Sequence, residues 1–321
     1  MGATGRDLHI DAALTNLVIG FEPMGTIVQD IFPMVNVNKQ SNVYHVWTKG
    51  DFFRIPDTRR AEKTNANKVE TNISSETYFC DNYALGDDTS FEDLANVDQA
   101  IRIREKKSRN LVNLLNLDWE DRVASQISSG SKVGSYTTLS GTDQWSDFAN
   151  SDPVNDIEVG KDSISSTTGQ EANLIIIPRL VMSKLKQHPD LLDRVKYTGT
   201  NDRPGQVTQR ALAEIFGVER VLVGKSFKNT AEPGATASYS EIWGKNVVIA
   251  HVTRGPSPDG RDPSLGYSFR WNSPLLGNRP MAIERWLDPN NRKFENIEAS
   301  YYQDEKITAS ELGYVIDSAI A

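Results

Sequence analysis

Residues 42–80 read NVYHVWTKGDFFRIPDTRRAEKTNANKVETNISSETYFC, and the organisation of the whole chain turns on this stretch. Asn42-Val43-Tyr44-His45-Val46-Trp47-Thr48 has the β-branched and aromatic content of a strand. Residues 69–79 set apolar or β-branched side chains mostly at alternate positions, which predicts a second strand and hence a hairpin. Between the two runs a polar segment, Lys49 to Lys68, rich in Arg, Lys and Asn. A structureless connection of that length is uncommon inside a compact domain. It also carries Phe52, Phe53 and Ile55, which gain nothing by facing water. A hairpin arm whose tip is covered by a second chain answers both objections; a plain surface loop is the alternative.

Downstream, residues 90–129 predict one long helix. Leu111, Leu115, Trp119, Val123 and Ile127 recur every four residues, Leu114 and Leu117 widen the stripe, and no Pro or Gly interrupts residues 96–129. Ser90 or Asp93 can cap its start, with Asp87, Asp88, Glu92 and Asp93 near the positive end of the dipole. Such a rod spans about 50 Å and suits an elongated subunit. Upstream, residues 12–21 predict a short amphipathic helix, followed by an extended arm around Ile27 to Pro33.

Residues 130–170, rich in Gly, Ser, Thr and Asp, predict a boundary or exposed connection. An α/β lobe follows. It opens with the apolar run Asn173 to Ile177, then helices over 179–187, 190–196 and 207–216, and strands over 220–223 and 246–252. From Met281 the chain is β-rich and is expected to pair with strands laid down earlier. The expected fold class is α+β, divided at 1–35, 36–88, 89–150, 151–280 (mainly) and 281–321.

Of the 321 residues, 38% are hydrophobic and 24% charged, enough apolar material for a sizeable core. The net charge of −8 opposes gripping DNA by phosphate neutralisation, though not containing it. A lone cysteine, Cys80, excludes an intrachain disulfide and a CxxC metal site, and reads as a packed side chain. Residues 1–11 lack the apolar region of a signal peptide, and no apolar run is long enough to span a membrane, so a reducing cytosol is expected.

Catalytic, cofactor and metal motifs are missing from the sequence. His9, His45, His188 and His251 are not spaced as a metal pair, and HExxH, GxSxG, GxGxxG and an EF-hand loop are absent. Gly224-Lys225-Ser226 resembles the end of a phosphate-binding loop, but the residues from Val218 to Val223 look like strand rather than a nest of free amides. His188-Pro189-Asp190 reads as a turn between helices. Arg102, Arg104, Lys106, Lys107 and Arg109 form a basic cluster without interleaved aromatics: a solvated or inter-subunit salt-bridging face, or one turned to nucleic acid.

The order of features resembles the HK97-like major capsid fold of tailed bacteriophages, with its N-arm, E-loop hairpin, spine helix in a P-domain, and α/β A-domain. Phe53-Arg54 followed by Arg59-Arg60-Ala61 is similar to the tip of the extended loop in that family, and Tyr83-Ala84-Leu85 to the run-up to its spine. The middle carries the most specific likeness: Trp145-Ser146-Asp147, Ser151-Asp152-Pro153, Asp156-Ile157, Thr168-Gly169, Asn173 to Ile176, Leu185, His188-Pro189 and Lys196-Tyr197, in that order. The chain departs from the pattern at Glu62 and Lys63, which follow Ala61 where many relatives place a glycine.

The resemblance implies a structural, non-enzymatic subunit, without cofactor, that assembles with copies of itself into an icosahedral shell of hexamers and pentamers enclosing double-stranded DNA. Its inter-subunit contact is then Phe52, Phe53, Arg54, Ile55, Arg59, Arg60 and Lys63 in the E-loop, and its spine core is Leu111, Leu115, Trp119, Val123 and Ile127. Further implied are a portal protein, a separate scaffolding protein, a decoration protein, no membrane, and location in the virion after assembly in the host cytoplasm. Some relatives crosslink loop lysines; Lys49, Lys63 and Lys68 stand in that region without an identifiable partner. The rivals are an encapsulin-type nanocompartment shell, which shares the fold, and a cytosolic α/β enzyme.

Overall fold

A computed structural model describes residues 25–47, 49–70, 72–96, 103–196, 207–253, 263–277, 279–287 and 293–321. The helix expected at 12–21, residues 97–102 of the long helix with Arg102, and Tyr197 lie outside these residues. The described chain opens with a helical turn, α1 (Val28–Ile31), and a short strand, β1 (Met34–Val37). The hairpin follows as β2 (Ser41–Trp47) and β3 (Ile73–Phe79), with a helical turn, α2 (Lys49–Phe52), entering its connection. A ten-residue strand, β4 (Asp81–Ser90), and α3 (Phe91–Asn96) lead to the spine, α4 (Ile103–Ile127).

The spine's 25 residues span about 37 Å. Leu111, Leu115, Trp119, Val123 and Ile127 are each no more than 4% exposed, and burying each contributes roughly 1.5–3 kcal/mol. The stripe serves two cores in turn. Leu111 and Leu115 pack against Ile297, Ala299 and Tyr301, whereas Trp119, Val123 and Ile127 join the main core. Leu114 is exposed, so the stripe is narrower than expected.

The first sheet is built around a 14-residue strand, β13 (Phe294–Ile307). One flank pairs antiparallel with all of β4, from Phe294↔Ser90 to Gln303↔Asp81. The other flank pairs with β12 (Ala282–Leu287) and β11 (Gly266–Trp271), and β1 adds to β11 in parallel. Strand β4 corrects the hairpin boundary and the helix start expected from the sequence. Asp87 and Asp88 sit in the strand rather than at a helix end; Lys107 Nζ donates to Asp87 Oδ1 (2.9 Å) and to the Asp88 carbonyl (2.5 Å). The Asp, Asn and Gly content of residues 81–88 disfavours a strand locally, and the ten-residue ladder to β13 overrides it.

The second sheet runs β5 (Ser135–Thr138), β14 (Gly313–Asp317), β10 (Val247–Ala250), β6 (Leu174–Pro178), β7 (Arg220–Gly224), with β5–β14 and β6–β7 parallel. Every residue of β6 is buried, as its apolar run predicts. Helices α5 (Pro153–Thr168), α6 (Arg179–Leu185), α7 (Pro189–Lys196) and α8 (Gln209–Phe216) surround it, with a small hairpin of β8 (Phe227–Asn229) and β9 (Tyr239–Glu241).

Helix α5 replaces the exposed connection expected at 130–170. Its N-cap Asp152 accepts from the Asn155 N–H (3.0 Å), Pro153 occupies the first turn, and Gly169 ends it at φ 68°. Ile157 and Ile164 face the core, as does the fully buried Trp145 just upstream. The arm expected at 27–33 is also corrected: Val28, Ile31 and Phe32 are buried in the main core of their own subunit. Residues 281–321 are β-rich and pair with strands laid down earlier, as expected, β13 in the first sheet and β14 in the second.

Candidate assembly surface

The hairpin is anchored at its root and bare beyond it. Tyr78 stacks on Phe269 (centroids 4.7 Å apart, 11° between planes), and Tyr44 packs against the same ring at 5.3 Å. The Tyr44 hydroxyl bonds the Glu76 carboxylate, and the Phe79 N–H donates to Asp304 Oδ2 (2.9 Å). Cys80 is fully buried in this cluster; burial, then Asp304 nearby, pushes its thiol up to about 12, so it is a packing residue rather than a nucleophile. Past the root, Val43 and Ile73 face solvent, as does the Phe79 ring at the root itself.

The tip is shaped but uncovered. Arg59 N–H donates to Asp57 Oδ1 (2.9 Å), Arg60 Nε to the Thr64 carbonyl (2.7 Å), and Asn67 Nδ2 to the Asp57 carbonyl (2.7 Å). Thr64 N–H closes a turn on the Ala61 carbonyl, with Lys63 at φ 65°. Left-handed backbone costs a non-glycine residue about 1 kcal/mol. That is the conformation a glycine would relieve at the point where Glu62 and Lys63 depart from the family pattern. Ile55 is 93% exposed and Phe53 64%. Phe53 nonetheless grazes its own subunit: its ring lies 3.2 Å from where a Cβ on Gly169 would sit. The side chain of Phe52 lies outside the description. Arg54, Arg59, Arg60 and Lys63 are exposed, and among the described residues none has a carboxylate partner.

Behind the hairpin, polar side chains that the sequence reading did not connect lock the spine to the first sheet. Arg122 Nη2 donates to Glu305 Oε1 (2.8 Å) and to the Tyr301 hydroxyl (3.2 Å), with its guanidinium 3.7 Å over the Tyr83 ring. Gln303 Nε2 donates to Glu305 Oε1 (2.7 Å), while Gln303 Oε1 accepts from Arg270 Nε (2.8 Å). A second knot centres on Glu120, which interrupts the apolar stripe and is fully buried. It accepts from Trp243 Nε1 (2.7 Å), Ser226 Oγ (2.9 Å) and the backbone of Ile27; burial outweighs these bonds and raises its carboxyl above the ordinary value. The signals were one acidic residue inside a helix stripe and Arg, Gln and Glu at alternate strand positions.

The other sequence candidates find structural roles. Ser226 serves Glu120 rather than a phosphate. His188 is buried in the turn between α6 and α7, its Nε2 3.1 Å from Ser151 Oγ. Two of the basic spine residues are engaged within the subunit: Arg104 pairs with Glu295 (2.6 Å) and Lys107 with Asp87. Among the described residues no cluster of His, Cys, Asp and Glu could hold a metal, and no helix is long and apolar enough to cross a membrane.

A long spine braced by a sheet, an α/β lobe and an uncovered hairpin tip are together the arrangement of the HK97-like fold. No family model matches the sequence. The chain is 27% identical to the major capsid protein of Pseudomonas phage JBD67 over 317 residues, 97% of each chain. It is 29% identical to that of Burkholderia phage BcepMu over 276 residues, 84% of this chain and 86% of the relative. A phage-related protein from Bordetella bronchiseptica RB50 superposes with a TM-score of 0.69 at 23% identity, over 92% of both chains. The capsid of Cyanophage P-SCSP1u does so at 0.66 and 10% identity, over 99% of this chain and 95% of that one. The fold is HK97-like, and the chain reads as similar to phage major capsid proteins along most of its length. These relatives favour that reading over an encapsulin-type compartment or a cytosolic enzyme.

Proposed function

We propose that residues 50–68 of each copy seat on an adjacent copy, and that this contact, repeated by symmetry, closes an icosahedral shell of hexamers and pentamers around double-stranded DNA. The observation that carries the proposal is the tip itself: hydrogen-bonded into one shape, yet presenting Ile55 and four unpaired cations to water. A contact surface prepared in advance loses little entropy on docking. Containment of DNA without sequence-specific binding fits the net charge of −8 and the engagement of spine cations inside the subunit. A portal protein, a separate scaffolding protein and a decoration protein complete the proposed partners, with assembly in the host cytoplasm and no enzymatic step. Deleting residues 50–68 is expected to leave a folded, soluble subunit that makes no closed shells in negative-stain micrographs; intact particles from that variant refute the role.

A further inference from the structure

We infer that the groove between the spine and β12 is a phosphate clamp, in which the guanidinium groups of Arg104 and Arg285 take a backbone phosphate of the enclosed double-stranded DNA; this rests on the reading of the chain as a shell subunit. The groove lies on the spine-covered face of the first sheet. There Arg285 stands directly opposite Ile297, which packs on the spine beside Leu111 and Leu115. The groove has a volume of about 500 Å³. Arg104, Ser108 and Arg109 of the spine line it together with Ile283, Arg285 and Ile297 of the sheet.

One buried carboxylate sets the two guanidinium groups side by side. Glu295 is 6% exposed, and its two oxygens are divided between the arginines: Oε2 pairs with Arg104 Nε at 2.6 Å and Oε1 with Arg285 Nε at 3.0 Å. Each pair is made through Nε, which leaves the fork of two terminal nitrogens on each arginine for a further acceptor. The side chains of Arg104 and Arg285 are 46% and 57% exposed, so a ligand can reach both forks from solvent. Glu295 thereby orients the arginines before any ligand arrives, and less rotamer entropy is lost when one binds.

The chemistry selects an oxyanion. Among the described residues Arg104, Arg109 and Arg285 meet two carboxylates here, Glu105 and Glu295, a local surplus of positive charge on a chain of net charge −8. A carboxylate presents its two oxygens in one plane and fills a single guanidinium fork. A phosphodiester carries two non-bridging oxygens set tetrahedrally and accepts from two forks at once. Ile283, 51% exposed, and Ile297 add an apolar floor for the deoxyribose beside that phosphate. The clamp reads no base edge, so it holds DNA of any sequence, and the acidic remainder of the chain keeps the hold weak.

Binding of labelled DNA duplexes of two unrelated sequences to dissociated full-length subunits tests the clamp. The two are expected to bind alike, with an affinity that falls as salt rises. Arg104→Lys with Arg285→Lys keeps both charges on Glu295, and hence the fold, but removes the forks; it is expected to weaken both duplexes about tenfold. Arg285→Gln leaves Arg104 on Glu295 and is expected to lower the slope of log affinity against log salt by about 0.9. Arg210→Gln, which removes a 90% exposed cation on α8, should change neither. The inference is overturned if the duplexes do not bind, if the lysine pair binds like wild type, or if Arg210→Gln weakens binding as much as the lysine pair. Competition identifies the source of the anion: unlabelled duplex should displace the label, and displacement as strong by inorganic phosphate or by polyglutamate at matched ionic strength overturns the assignment to DNA. Negative-stain micrographs of the lysine pair should show closed shells. Their loss would make the groove an inter-subunit contact and end the clamp, whereas the tip's role is decided separately by deleting residues 50–68.

Discussion

Ile55→Ala separates burial within a subunit from burial between subunits. At 93% exposure, Ile55 contributes almost nothing to the fold of its own chain, so its truncation should change subunit stability by no more than about 0.5 kcal/mol. In a shell its three lost carbons, at about 0.8 kcal/mol each, are worth up to roughly 2.4 kcal/mol per contact. That corresponds to about a 50-fold loss in the association constant of one contact. Leu115→Ala is the control, because Leu115 is 2% exposed against Ile297 and Tyr301 and its truncation should cost the subunit about 2–5 kcal/mol. Thermal melting of dissociated subunits reads the first effect, and the threshold concentration for particle formation by light scattering reads the second. The reasoning fails if Ile55→Ala melts as low as Leu115→Ala, or if the particle threshold does not move.

Other perturbations probe the scaffold that holds the hairpin. Glu120→Ala leaves the buried Trp243 N–H and Ser226 hydroxyl without their acceptor, at about 1–3 kcal/mol for each group in denaturant melts. Because burial raises the folded-state value of this carboxyl above 4.5, the folded protein holds its proton more tightly than the unfolded chain. The stability it contributes is therefore present below about pH 4.5 and is lost as pH rises through the raised value, so the gap between wild type and Glu120→Ala should narrow with rising pH; a gap that widens contradicts the assignment. Gly160→Ala would set a Cβ 2.5 Å from Ile249 Cδ1 and 2.9 Å from the Tyr314 ring, so these side chains or α5 itself must shift, at about 1–3 kcal/mol by calorimetry. An unchanged melting temperature would show that α5 packs less closely than described.

What was legible in the sequence follows from where physics is local. The spine stripe, recurring every four residues from Leu111 to Ile127, and the apolar run of β6 report burial directly, and both elements stand where they were expected. Strand β4 was missed because Asp81, Asn82, Gly86, Asp87 and Asp88 speak against a strand, and only a ladder to residues more than 200 positions away makes them one. Helix α5 was hidden by its Ser and Thr content, although the Asp152-Pro153 start, the Gly169 stop and the buried Val154, Ile157, Ile164 and Thr168 at helical spacing were there to be read. In the candidate surface, the greasy, basic tip was visible in composition. The polar lock of Arg122, Gln303 and Glu305 was not, because these residues become neighbours only through the packing of the spine on β13.

Hydrogen exchange across residues 50–68, compared between assembled particles and dissociated subunits, tests the central claim most directly. In the subunit few of these amides have a backbone partner, Thr64 on Ala61 being one, so the segment should exchange rapidly when free. Assembly should slow its exchange severalfold or more while the spine, already protected, changes little. Equal exchange in the two states, or strong protection already present in the lone subunit, would contradict the account.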